Sequence, residues 1–385
     1  MARSPDVLVI GAGSFGAWTA WHLRREGRSV TLVDAFGAGH SRASSGGESR
    51  IIRRGYGDRA LYSRWAHASL PRWRELLAEA GRPELFRETG VLWLGRDDDP
   101  HVAGSARTLA TLGVETEPLT PAELRARFPQ LDLAGITHGV LEPRSGVLLA
   151  RRAVRAVVDE ARRHGVDYRR ALVDPSGIEP LTGAAGVRLG DGTRLTAGSL
   201  VFACGPWLPR LFPELLGPLV RTTRQEIFFF GTPAGDRRFA PPALPAWIDF
   251  PGGAYGLPDI EGRGVKVALT ALGPPFDPDR GDRAPSPEGI AAAREVARAR
   301  LPGLGEAPLV EARVCQYANT PSGDLLIDRH PAHANVWLAG GGSGHGFKLG
   351  PAVGAYVAKR LAGRGAPEPL VALAAHRAGR ERAVL

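Results

Sequence analysis

Asp6-Val7-Leu8-Val9-Ile10-Gly11-Ala12-Gly13-Ser14-Phe15-Gly16 runs from a short apolar segment directly into three glycines spaced two and three residues apart. The apolar run reads as a buried parallel strand. In that setting Gly11 makes the tight turn, Gly13 lets the backbone approach a diphosphate, and Gly16 lets helix pack on strand. The helix expected from Ser14 to about Arg25 then offers its N-terminal N–H groups and positive dipole end to phosphates. A second strand, Ser29-Val30-Thr31-Leu32-Val33, ends in Asp34, 23 residues after Gly11. An acid at that distance suits the hydroxyls of an adenosine ribose. The glycine triplet alone is a weak signal. Strand, helix, second strand and terminal acid together predict a dinucleotide-binding βαβ unit.

A second glycine cluster, Gly340-Gly341-Gly342-Ser343-Gly344-His345-Gly346-Phe347-Lys348, lies more than 300 residues downstream. A nicotinamide enzyme needs only the first cluster. A second one, where backbone must approach a flat ring closely, points to a flavin enclosed by both ends of the chain.

At 385 residues the chain suits two domains. No apolar stretch is long enough for a membrane span. The first strand begins near residue 6, which leaves no room for a secretory signal, and Cys204 and Cys315 make no disulfide framework. A cytoplasmic location is the expectation. The net charge of +9 raises the question of nucleic acid, but the arginines are spread along the whole chain with no basic run and no aromatic platform. No nucleic-acid partner, membrane or metal is expected. Of 49 basic residues only three are lysines: Lys266, Lys348 and Lys359. Where lysine is used so rarely, a compact ammonium on a flexible stem is a candidate requirement.

Along the chain, Ser41 to Gly47 reads as a loop at the carboxyl edge of the sheet. Ala60 to Glu79 has helical spacing, with Trp65, Leu70, Trp73, Leu76 and Leu77 as its buried face. Gly90–Gly95 reads as a strand. Thr120 precedes Pro121 as a helix cap. Leu149 to His164 is a helix, and Thr193 to Ala203 is two strands broken at Ala197-Gly198. Arg221 to Val267 alternates as an antiparallel sheet would. A surface loop (Pro274–Pro287), a helix (Ser286–Leu301), a strand (Asn335–Ala339) and a closing helix (Pro351–Leu361) follow. The predicted fold is α/β: a Rossmann-like FAD-binding domain from 1–85, 145–220 and 324–385, with a discontinuous antiparallel-sheet (α+β) substrate domain from 86–144 and 221–323.

Six segments in order carry a resemblance. They are Gly11-Ala12-Gly13-Ser14; Arg50-Ile51-Ile52-Arg53 with Tyr56-Gly57; Thr89-Gly90-Val91-Leu92; Ser145-Gly146-Val147-Leu148; Cys315-Gln316-Tyr317; and Gly342 to Lys348. Together they resemble monomeric sarcosine oxidase, whose relatives include N-methyltryptophan oxidase and pipecolate oxidase. The resemblance spans the chain and implies an FAD-dependent amine oxidase that turns a secondary amino acid into an imine and O2 into H2O2. A flavin dehydrogenase passing electrons to another acceptor is the alternative.

Cys315 occupies the position at which the family joins sulfur to the flavin, although a lone buried cysteine is ordinarily a small hydrophobe. Lys266 matches a lysine over one flavin face that serves the reaction with oxygen; a strand-edge surface lysine is the other reading. Arg53 and Lys348 match two cations that hold a substrate carboxylate, with Tyr255 and Tyr317 lining the pocket and Arg50 beside the flavin ring. The implied cofactor contacts are Gly11, Gly13, Ser14, Phe15, Gly16, Asp34, Ser44, Arg50, Cys315, Gly342, Gly344, His345, Gly346, Phe347 and Lys348. His345 resembles a catalytic base but is assigned to the glycine turn. Two positions depart from the family: Thr270 replaces a histidine four residues after the lysine, and Gly46 or Ser45 replaces a second histidine in the loop before Arg50. Threonine is smaller and does not titrate, so the pocket is expected to be roomier and to favour a larger secondary or cyclic amino acid over sarcosine.

Overall fold

The computed structural model describes residues 4–181 and 184–377; the last residues of the expected 324–385 segment fall outside that range. A six-stranded sheet contains the βαβ unit expected to bind a dinucleotide. Its order is Leu326–His330, His333–Gly340, Ser199–Phe202, Val7–Ile10, Val30–Asp34 and Asp167–Arg170, all parallel except the first, which is an antiparallel edge strand. Val7 and Val9 pack toward helices Ser14–Arg25, Ala150–Arg163 and Gly350–Leu361, while Leu8 and Ile10 pack toward a small sheet of Val173–Leu181, Ala184–Leu189 and Arg194–Ala197. Burial on both faces is why this strand reads as an unbroken apolar run.

Each end of the expected break at Ala197-Gly198 joins a different sheet. Arg194–Ala197 closes the small sheet and Ser199–Phe202 enters the central one. Of the small sheet only Arg194–Ala197 was read in the sequence; Val173–Leu181, which pairs with a shifted register, and Ala184–Leu189 were not.

The other half is an eight-stranded sheet in the order Leu309–Asn319, Arg221–Phe230, Val265–Leu269, Ala254–Leu257, Ala246–Asp249, Val91–Gly95, His138–Glu142 and Glu117–Leu119. The expected antiparallel pairing of the 221–267 region holds within that region. Ala246–Asp249, however, pairs parallel with Val91–Gly95, a contact between distant segments that local alternation does not reveal. Helix Ala60–Glu79 buries Leu70, Trp73, Leu76 and Leu77 as predicted, but Trp65 stays half-buried. Thr120 caps helix Pro121–Arg127 in a full capping box with Glu123. A short ladder of Arg50–Ile52, Gly146–Leu148 and Phe86–Arg87 lies between the halves.

Two close approaches bring the ends of the chain together. Gly11 adopts φ +103°, and Gly16 lies so near that a Cβ there would sit 1.8 Å from the Gly11 carbonyl oxygen. At the other end, a Cβ on Gly354 would lie 2.5 Å from the Trp18 backbone, so the closing helix rides directly on the first helix. Ser14 Oγ donates to the Phe347 carbonyl at 2.8 Å, joining the two glycine clusters across the whole sequence. Gly16→Ala is therefore expected to cost about 1–3 kcal/mol through overpacking, seen as a lower Tm in thermal unfolding; an unchanged Tm would show that the turn relaxes freely.

Candidate active site

The carboxyl ends of the central strands open into a cavity of about 610 Å³. Its walls include Gly11, Gly13, Ser14, Phe15, Asp34, Ser44 and Arg50 from the N-terminal third, and Gly342, Gly344, Gly346 and Phe347 from the C-terminal turn. Gly16 supports this wall from behind. The position is where an open α/β sheet binds ligands. A Cβ on Gly13 would meet only Ser45 Oγ, at 3.6 Å, and one on Gly342 would meet nothing nearer than 4.0 Å. Ser45 Oγ is itself buried with no partner among the described residues. Open backbone and an unsatisfied hydroxyl beside a helix N-terminus fit a diphosphate.

Asp34 lines the same cavity, with both oxygens already accepting backbone N–H groups. Oδ2 takes Ala12 N at 2.7 Å, and Oδ1 takes Phe36 N at 2.9 Å and Gly37 N at 2.8 Å. A carboxylate has further lone-pair capacity for a ribose hydroxyl. The acid therefore braces the turn as well as facing the cavity.

A second, smaller cavity of about 80 Å³ shares Arg50, Tyr317, Ser343, Gly344 and Phe347 with the first. It collects Arg53, Tyr255, Lys266, Thr270, His345 and Lys348, bringing together the residues singled out in the sequence for substrate and oxygen. Arg50 Nη2 donates to the Ser44 carbonyl at 2.7 Å and to Cys315 Sγ at 3.3 Å, so the buried sulfur lies just behind the shared wall. Cys204 donates to Ile10 O at 3.3 Å, and burial pushes its thiol up, so it remains a protonated structural group.

Lys266 is 1% exposed, donates to the Ser49 carbonyl at 3.2 Å and lies 5.7 Å from the Tyr255 ring. It is not at a surface edge. Burial, reinforced by the positive charge of Arg50, brings it down to about 7. Tyr255 and Tyr317 line the same cavity, and burial raises both phenols.

Lys348 donates to Tyr56 Oη and to the His345 carbonyl, both at 3.0 Å. Burial, then the neighbouring Arg53, holds it well below the ordinary lysine range. Arg53 donates to the Gly55 carbonyl and is boxed by the rings of Tyr56 at 4.2 Å, Trp93 at 5.0 Å and Phe250 at 5.6 Å. Neither cation has an ion-pair partner among the described residues.

His345 is brought to about 3, by burial first and then by Lys348, and its Nε2 lies 2.8 Å from the Gly323 carbonyl. A neutral ring donating to a carbonyl holds the turn and is not a base near neutral pH. Thr270 is half-buried at the cavity's edge, beside Leu272, which is 43% exposed.

Four residues were missed in the sequence. Tyr56 sits inside a motif that carried the resemblance, and burial pushes its phenol up to about 12. Trp93 and Phe250 were indistinguishable from core aromatics. Glu142 was visible only as the lone acid closing the apolar run Gly139-Val140-Leu141.

With this geometry in view, comparison with known proteins is consistent throughout. A family described as FAD dependent oxidoreductase matches residues 6–360. Monomeric sarcosine oxidase of Streptomyces avermitilis is 34% identical over 365 residues, covering 93% of this chain and 94% of that one. Peroxisomal sarcosine oxidase of Homo sapiens is 33% identical over 357 residues, covering 91% and 90%. The crystal structure of L-proline dehydrogenase from P. horikoshii superposes with a TM-score of 0.83 at 22% identity, over 95% of both chains, and speaks to fold.

The buried ammonium of Lys266 has a measurable cost. An unfolded lysine titrates near 10.4, so between about 7 and that value the unfolded chain holds more protons than the folded one and stability rises with pH. Lys266→Met should raise Tm at pH 6, with the advantage shrinking as pH climbs from 7 toward 10. A constant difference across that range would show that Lys266 does not carry a buried charge.

Proposed function

The chain belongs to the family of FAD-dependent oxidoreductases, and on that premise we propose that it oxidises the C–N bond of a secondary amino acid to an imine, with O2 reduced to H2O2. One observation carries the reading: Arg53 and Lys348 are buried together at one end of a small cavity without a carboxylate partner among the described residues. Two unpaired buried cations are costly, and a substrate carboxylate supplies the missing charge. Guanidinium and ammonium together fix its position and plane, and fixed orientation is what transfer from the adjacent C–N centre requires.

The large cavity fits FAD by its open glycine backbone and its unpaired Ser45 hydroxyl. When bound there, FAD supplies a two-electron acceptor. The protein's own contribution is orientation and charge. Arg50, Lys266 and Lys348 disfavour a second cation in the small cavity, so the substrate amine is held neutral with its lone pair free. Lys266 offers a preformed positive charge to the superoxide that arises when oxygen takes up electrons, which favours oxygen over another acceptor. Water hydrolyses a linear imine, whereas a cyclic one persists.

Thr270 and the exposed Leu272 leave that side of the small cavity low and open to solvent. This supports an N-methyl or cyclic amino acid bulkier than sarcosine. The Cys315 sulfur accepts a hydrogen bond from Arg50, which lines both cavities, and we assign it the covalent link to the flavin. No helix among the described residues is long and apolar enough to cross a membrane.

Three experiments test these assignments. The yellow colour should stay with acid-precipitated protein and leave with the supernatant for Cys315→Ser; colour released from the parent protein would remove the tether but not the fold. In air, N-methyl and cyclic amino acids should release peroxide, with a bulkier amino acid outperforming sarcosine. Arg53→Gln should lower kcat/KM about 10- to 100-fold, as loss of a charged hydrogen bond implies. Turnover that requires a dye and yields no peroxide would support a dehydrogenase instead.

A further inference from the structure

Behind the two cations sits a buried carboxylate that none of the site chemistry above uses. Glu142 closes strand His138–Glu142 and is 0% exposed. Its Oε1 accepts Gly55 N at 3.0 Å and Trp93 Nε1 at 2.9 Å. Its Oε2 accepts Arg54 N at 2.8 Å and Ser145 Oγ at 2.6 Å, with Arg54 Nε at 3.5 Å. Four hydrogen bonds and an ion pair with Arg54 on one buried carboxylate use nearly all of its lone-pair capacity.

Three of these bonds bear on Arg53. The backbone amides held are those of the next two residues. The Gly55 carbonyl, on the residue whose N–H the carboxylate holds, accepts from the Arg53 guanidinium. The Trp93 ring that flanks Arg53 at 5.0 Å has its indole N–H tied to the same carboxylate. Three constraints on one guanidinium thus end on a single acid.

We propose that Glu142 is a positioning residue for substrate recognition: its carboxylate clamps the 53–55 backbone and the Trp93 ring so that Arg53 is preset to receive the substrate carboxylate, and its charge sustains the paired cations while no substrate is bound. The inference rests on the reading of Arg53 and Lys348 as the carboxylate site. The charge arm has independent support, since Glu142 favours the charged form of both Arg53 and Lys348. Lys348 is otherwise faced by Arg53, Arg50, Tyr56 and the His345 ring, and Glu142 is the one carboxylate acting on it among these groups.

The test uses the FAD-loaded enzyme and acetate as the probe, with binding followed through the flavin absorbance from pH 6 to 10. Acetate stays ionised throughout, so loss of affinity with rising pH reports a cavity lysine losing its proton, and repeating the titration in a Lys266→Met background separates Lys348 from Lys266, which lines the same cavity. Glu142→Gln keeps an acceptor oxygen and the side chain's volume but removes the charge. It should weaken acetate binding several-fold and move the pH at which affinity falls away downward by about one unit. It should also narrow the preference for an amino-acid substrate over its methyl ester, mainly through KM.

Glu142→Asp keeps the charge but retracts the carboxylate. It should weaken acetate binding with the pH profile unmoved, and it serves alone if the Gln variant does not fold. Acetate affinity and pH profile equal to the parent in either folded variant would overturn the inference. An equal loss for acid and ester with an unmoved profile in Glu142→Gln would do so too, as that is general damage. If instead Arg53→Gln leaves acetate binding unchanged, the carboxylate-site reading itself has failed, and the two failures are told apart.

Discussion

The close seating of helix Gly350–Leu361 on helix Ser14–Arg25 is the contact on which the architecture depends. Gly354 lies against the Trp18 backbone, and no side chain fits between them. Because those helices touch, the turn from Gly340 to Gly346 arrives above Gly11 to Gly16, and Ser14 can donate to the Phe347 carbonyl. Phe347 in turn stacks on Trp73 with ring centroids 5.4 Å apart, and the Trp73 indole N–H donates to the Lys348 carbonyl. One backbone approach thus positions the cofactor cavity, the glycine turn over it and the lysine of the smaller cavity.

Charge is the second organising theme. Arg50, Arg53, Lys266 and Lys348 all line a cavity of about 80 Å³. Such a cluster opposes folding by desolvation and mutual repulsion. Apart from the Glu142 charge behind Arg53 and Lys348, its members are held by neutral acceptors, namely the Ser44, Ser49, Gly55 and His345 carbonyls and the Tyr56 hydroxyl. Carbonyls satisfy N–H donors without cancelling the net positive field, so the site keeps its attraction for an anion and its hostility to an ammonium.

Much of this was legible in the residues. The first βαβ unit is local: period, turn and terminal acid all lie within 34 positions, and the structure reproduces them nearly to the residue. The rarity of lysine singled out Lys266 and Lys348, and both are buried in one cavity. What stayed hidden depends on distant pairing. The parallel junction of Ala246–Asp249 with Val91–Gly95 has no local signature, and neither does Glu142, whose four hydrogen-bond donors come from four separate positions. Asp34 was correctly placed, yet its bonds to Ala12, Phe36 and Gly37 show a bracing duty that spacing could not disclose.

That same parallel junction shapes how such a protein can diversify. The sheet over the small cavity is woven from stretches lying on both sides of the nucleotide-binding elements, so no single cut in the gene frees one half from the other. Recombination cannot swap a substrate module in one piece, as it can with domains strung end to end. New preferences must accumulate through individual replacements on strands already committed to the weave, with Thr270 and Leu272 at its loosest margin the most tolerant of change.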